Sequence, residues 1–85
     1  MDRFEVMRLF MSVADAGSFS KAKVNGIVQS TVSKQIAALE TRLNAQLLRR
    51  TSRDLSLNEA GQAYYEVSAH LLCELETAEA RIGHG

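Results

Sequence analysis

Apolar positions recur with helical spacing along most of this chain. Phe4, Met7, Phe10, Met11 and Ala14 lie three or four residues apart, which predicts an amphipathic helix over about residues 3–16. Gly17 follows, free to take the positive φ that ends helices. Ser18 or Ser20 can then cap a second, short helix through Lys21, Ala22 and Val24, closed by Gly26, with Ile27 and Val28 as apolar turn residues. From Gln29 the pattern is strongest. Val32, Ile36, Leu39 and Leu43 form one stripe of a third helix running to about residue 45. Core packing is the expectation for Phe4, Met7, Phe10, Val32, Ile36, Leu39, Leu43 and Leu47.

The other side of that third helix is unusual. At about 100° per residue, Ser30, Thr31, Lys34, Ala38 and Thr41 fall opposite the stripe, with Ser33 and Gln35 at its margins. A solvated helix more often carries Glu and Lys there, so a small polar face implies close approach to another surface. Leu47–Thr51 and Leu55–Leu57 then read as short strands around Ser52-Arg53-Asp54, a turn with an arginine at its tip. Asn58 is placed to cap a last helix, and Glu59 suits the positive end of its dipole. Gly61 costs such a helix about 1 kcal/mol, so its presence implies tight packing in the first turn. Ala60, Tyr64, Val67, Leu71, Leu75, Ala78 and Ile82 continue as a seam longer than a three-helix core can cover.

Composition narrows the function. At 85 residues the chain has room for one small domain, whose core needs help from a disulfide, a metal or a second subunit. The single Cys73 supplies neither a bridge nor a zinc cage, which points to oligomerisation and to a reducing, cytoplasmic setting. The N-terminus lacks the pattern of a secretory signal, and no run approaches the roughly 18 apolar residues of a membrane span. No Gly-rich phosphate loop, His/Cys metal set or nucleophile–base pair can be assembled, so no enzyme, metal or cofactor is expected. Cys73 reads as inert packing, His70 as a surface or seam residue and His84 as part of the tail.

Formal neutrality hides a division of charge. Between residues 17 and 57, Lys21, Lys23, Lys34, Arg42, Arg49, Arg50 and Arg53 face only Glu40 and Asp54. Beyond residue 57, Arg81 stands against Glu59, Glu66, Glu74, Glu76 and Glu79. A basic centre with acidic flanks suits a polyanion partner for the middle of the chain.

Two helices joined by a short Gly-containing turn, the second with a bare polar face, describe a helix-turn-helix, and the hairpin adds a wing. A major groove about 12 Å wide admits such a helix only if its leading side chains are short. Gln29, Ser30, Thr31, Ser33 and Lys34 are therefore candidates for base and phosphate contact, although Gln29 could instead cap its own helix. Arg49, Arg50 and Arg53 are candidates for the backbone or minor groove, unless Arg49 or Arg50 pairs with an acidic side chain to hold the wing.

The blocks Ser18-Phe19-Ser20-Lys21-Ala22, Gln29 through Glu40, Leu43, Leu47 through Thr51, and Leu57-Asn58-Glu59-Ala60-Gly61 resemble the N-terminal DNA-binding domain of LysR-type transcriptional regulators. The likeness runs from about Phe4 to Ile82, in family order and nearly family spacing. It implies a mainly α fold: a winged helix-turn-helix over 1–58, a linker or dimerisation helix over 59–82 and a tail over 83–85. It further implies that Gln29, Ser30, Ser33 and Lys34 face double-stranded DNA, with Arg53 at the wing tip. The long helix would pair with its twin in a homodimer through Tyr64, Val67, Leu71, Leu75, Ala78 and Ile82, higher oligomers forming with a full-length chain. A small-molecule effector would act only through a periplasmic-binding-protein-like domain absent from this chain, which looks like a fragment.

Departures from the pattern are local. The stretch Ser20 through Gln29 is one residue short and lacks a second Ala, and Val28 stands where a Ser usually caps the recognition helix. Either Val24 or Ile27 is placed to replace the packing of a missing Leu, and Ser30 to supply part of the lost capping. Asp54 replaces a frequent Gly and adds negative charge beside the wing. The competing reading is a winged-helix module whose polar face binds a protein, or a domain from another winged-helix family.

Overall fold

The computed structural model describes residues 2–19, 26–51 and 54–83. They form α1 (Arg3–Ala16), α2 (Gln29–Leu43), β1 (Leu48–Arg50), β2 (Leu55–Leu57) and α3 (Glu59–Gly83). The short helix expected through Lys21, Ala22 and Val24 falls outside the described residues, as do Arg53 and His84.

Local chemistry explains each boundary. Asp2 caps α1 by accepting the Glu5 N–H at 2.7 Å, while the Glu5 carboxylate reaches back to the Asp2 N–H at 3.5 Å, a capping box. The Glu5 N–H holds the Asp2 carboxyl below its ordinary range. Gly17 ends α1 at φ 74°, and its carbonyl accepts the Leu55 N–H at 2.9 Å, which ties the wing to this turn. α2 ends at Leu43, earlier than expected. Asn44 adopts the left-handed conformation at φ 53°, and the Asn44 and Ala45 N–H groups close back onto Thr41 and Glu40 in a Schellman pattern.

The core is built from Val6, Leu9, Phe10 and Val13 of α1, Val32, Ile36 and Leu39 of α2, and Leu47 and Leu48. Ile27, Leu55, Leu57, Tyr64 and Tyr65 close its edges, so Ile27 takes part in the packing for which it was a candidate. Two expected core residues are not core. Phe4 is 41% exposed and Leu43 40%, because each lies at a helix end beyond the elements that could cover it. Met11 and Ala14 are only half-buried. α1 packs against both α2 and α3, so its buried surface is wider than the stripe that simple counting selects: Met7 and Phe10 of that stripe are buried, and Val6, Leu9 and Val13 are buried with them.

α3 presses its foot into the domain. Asn58 Oδ1 accepts the Gly61 N–H at 2.8 Å, while Nδ2 donates to the Gln46 carbonyl at 2.8 Å. A Cβ on Gly61 would overlap the Leu47 carbonyl oxygen, which accounts for the glycine. Above this contact Tyr64 lies edge-on to Phe10, ring centroids 5.3 Å apart, and the Tyr65 hydroxyl donates to Asp15. That bond to a carboxylate raises the Tyr65 phenol above its ordinary pKa.

Candidate nucleic-acid interface

The face of α2 turned away from the core is open. Gln29, Ser30, Lys34, Ala37, Ala38 and Thr41 are exposed, with Thr31 and Ser33 half-buried beside them. Val32, Ile36 and Leu39 anchor the opposite side, so rotation of the helix is fixed and the small side chains must point outward. Val28 occupies the N-cap position in an extended conformation and offers no side-chain hydrogen bond. Positive partial charge at that end is therefore available to an approaching anion.

The wing follows this helix in the chain. β1 and β2 pair antiparallel, Leu48 with Leu57, Arg49 with Ser56 and Arg50 with Leu55. Leu48 points into the core, and alternation sends Arg49 to the opposite side of the ribbon. Arg50 has its guanidinium 5.2 Å from the centre of the Phe19 ring, a cation–π contact that orients it without an ion pair. Both arginines remain exposed, and neither has an acidic partner among the described residues. Thr51 and Asp54 close the turn: the Thr51 N–H donates to the Asp54 carbonyl at 2.9 Å, and the Asp54 N–H donates to Thr51 Oγ1 at 2.9 Å. The expected tip residue, Arg53, lies outside the described residues.

Glu40 was not singled out by sequence reasoning. Its Oε2 accepts the Leu47 N–H at 2.8 Å and the Leu48 N–H at 3.4 Å, joining the end of α2 to the start of the wing. A signal was available: Glu40 is the one acidic residue between Asp15 and Asp54, set near a helix C-terminus where the dipole disfavours negative charge.

The expected seam on α3 divides. Tyr64 is half-buried in the chain's own core, and Leu75 is also half-buried. Val67 is 57% exposed, Leu71 42% and Ile82 83%, and Ala78 is exposed too, which leaves an apolar strip uncovered along the distal helix. Gly61, Ser68 and Leu72 are the buried positions of α3, with Tyr64 and Tyr65 packed against the core edge. No helix among the described residues is long and apolar enough to cross a membrane, and no group of three or more His, Cys, Asp or Glu among them could hold a metal ion.

Comparison with known proteins agrees with this geometry. Residues 4–62 match the family model described as bacterial regulatory helix-turn-helix protein, lysR family. The chain belongs to the LysR family. An HTH-type transcriptional regulator of Xanthomonas campestris pv. campestris is 43% identical over 76 residues, covering 88% of this chain and 22% of the relative. An HTH-type transcriptional repressor of Pseudomonas aeruginosa is 38% identical over 86 residues, covering 100% of this chain and 27% of the relative. This LysR-family chain thus spans about a quarter of the length of these curated relatives. Among solved structures, the BenM DNA-binding domain in complex with catB site 1 DNA superposes with a TM-score of 0.90 at 30% identity, covering 99% of this chain and 93% of that one. The CbnR DNA-binding domain in its DNA complex gives 0.88 at 30% identity, with 99% and 97% covered. Full-length AphB of Vibrio cholerae gives 0.79 at 34% identity, covering 95% of this chain and 28% of that one.

Proposed function

We propose that this chain is the DNA-reading part of a dimeric transcriptional regulator that recognises an inverted-repeat duplex. The first turns of α2 enter the major groove, where Gln29, Ser30, Thr31, Ser33 and Lys34 meet bases and phosphates. Arg49, Arg50 and Arg53 of the wing rest on the adjacent backbone or minor groove. Two α3 helices pair through Val67, Leu71, Leu75, Ala78 and Ile82, with Tyr64 at the proximal end, and hold two reading helices on one side of the duplex. Regulation by a small molecule would require a further domain, and higher oligomers a longer chain. The protein acts in the cytoplasm, where its DNA is, and performs no catalysis of its own.

The observation that carries the reading is the outer side of α2, exposed at Ser30, Lys34, Ala38 and Thr41, together with Arg49 and Arg50, exposed on the wing with no acidic partner among the described residues. Its likeness to LysR domains solved with DNA supports the same assignment. The test begins with selection of bound sites from a random duplex pool, followed by fluorescence anisotropy on the selected inverted repeat and on scrambled duplex. Affinity should favour the repeat and fall by orders of magnitude between about 50 and 200 mM salt as phosphate contacts are screened. Equal binding to both duplexes, or no salt dependence, would refute it.

A further inference from the structure

The backbone of Gln46, Leu47 and Leu48 is gripped from two sides. On one side the Glu40 carboxylate of α2 takes the N–H groups of Leu47 and Leu48, at 2.8 and 3.4 Å. On the other, the foot of α3 takes the carbonyls: the Asn58 N–H donates to Leu47 at 3.1 Å and Asn58 Nδ2 donates to Gln46 at 2.8 Å. Gly61 lies directly against the Leu47 carbonyl, so the strand has no slack in that direction. The Leu47 and Leu48 side chains are buried in the core, which prevents the strand from sliding. α2 and α3 each pack on α1. Between themselves, a hydrogen-bonded path runs from Glu40 through the Leu47 peptide groups to Asn58.

We infer that Glu40 is a positioning residue that sets the angle between the reading helix and the dimerisation helix, and so determines which half-site spacing the dimer accepts. This rests on the proposed dimeric DNA binding. Glu40 touches no base in this role. An ionised carboxylate makes stronger bonds to backbone N–H groups than a neutral acceptor does, so one side chain suffices to hold both peptide groups. In a two-fold dimer, any change of the α2–α3 angle acts twice, once in each protomer, and moves the two reading helices relative to each other.

The test measures binding to duplexes whose selected half-sites are moved apart or together one base pair at a time, and to a duplex with a single half-site. Wild type should show one sharp optimum. In Glu40→Ala the advantage of the best spacing over its neighbours should shrink by about threefold or more, with single half-site affinity within about twofold of wild type. Glu40→Gln, whose amide oxygen still accepts, should restore most of the optimum. Asn58→Asp keeps the cap on Gly61 but removes the donor to Gln46, and should flatten the optimum independently of any folding defect in Glu40→Ala. Wild type with no optimum would refute the dimeric reading itself. A wild-type optimum that Glu40→Ala and Asn58→Asp both preserve, with equal losses on single and paired sites, would overturn the inference alone.

Discussion

Gly61→Ala sets two effects of opposite sign against each other. Alanine in place of glycine in a helix is worth about 1 kcal/mol in propensity. At this position the new methyl overlaps the Leu47 carbonyl oxygen and comes within 2.9 Å of its carbon and 3.2 Å of Leu57 Cδ2. Overpacking of this kind costs about 1–3 kcal/mol. The obstruction is backbone, fixed by the Asn58 N–H at 3.1 Å and, through the same residue, by Glu40 at 2.8 Å. Displacing it weakens one neutral and one charge-assisted hydrogen bond, about 1 and 2 kcal/mol if fully lost. The net is a destabilisation of about 2–4 kcal/mol. At about 4–8 °C per kcal/mol for a domain of this size, the melting temperature should fall by roughly 8–32 °C. The assay is thermal unfolding followed by circular dichroism at one fixed protein concentration, because the proposed dimerisation would make the midpoint concentration-dependent. Gly83→Ala serves as control: nothing lies within 4 Å of a Cβ there, at the far end of the same helix, so its midpoint should move by a few degrees at most. A Gly61→Ala midpoint equal to or above wild type would show that propensity wins and that the foot of α3 is not tightly seated.

Other consequences can be checked directly. Ser33→Ala and Lys34→Ala should weaken binding to the selected duplex with unchanged helix content, and Lys34→Ala should reduce the slope of log K against log salt by about 0.9 if it neutralises one phosphate; lost folding in either would assign a structural role. Leu71→Glu places a charge in the uncovered strip and should shift the species to monomer in analytical ultracentrifugation while lowering affinity for paired half-sites, whereas an unchanged sedimentation profile would remove the strip from the interface. Because the Glu5 N–H lowers the Asp2 pKa in the folded state, its contribution to stability is present above the ordinary carboxylate pKa and is lost as pH falls through the depressed value. Asn at position 2 keeps the acceptor but does not titrate, so Asp2→Asn should show a shallower loss of stability in acid, and identical acid limbs would count against the capping box.

Sequence patterning reached the elements whose chemistry is local. Gly17 at a helix end, Asn58 at a cap and the Leu48/Leu57 ribbon depend on neighbours a few residues away or on simple alternation. The stripe of α2 was legible for a related reason: that helix has a single apolar side, so Val32, Ile36 and Leu39 left no choice of face. α1 has apolar residues on nearly every side. Periodicity could not show that it serves two neighbours at once, and Phe4 was assigned inward while Val6, Leu9 and Val13 went unmarked. Leu43 follows the stripe perfectly but sits where Asn44 turns the chain away. The candidate reading face was legible because its exclusion of bulk is written in residue size. Glu40 was not, since its partners seven and eight residues on are brought to it only by that chain reversal.

The length of α3 gives its seating mechanical weight. Its 25 residues make a rod of roughly 37 Å at about 1.5 Å per residue, seated on the domain from Gly61 to Leu72 and largely exposed beyond. Such a rod is a lever whose seat runs from Gly61 on the Leu47 carbonyl to Leu72. A tilt of about 10° in the part beyond Leu72 sweeps the far tip through roughly 3 Å, about one base-pair step of about 3.4 Å. Whatever pulls on the free end of that helix is passed to the domain through that seat, which begins where Gly61 meets the Leu47 carbonyl.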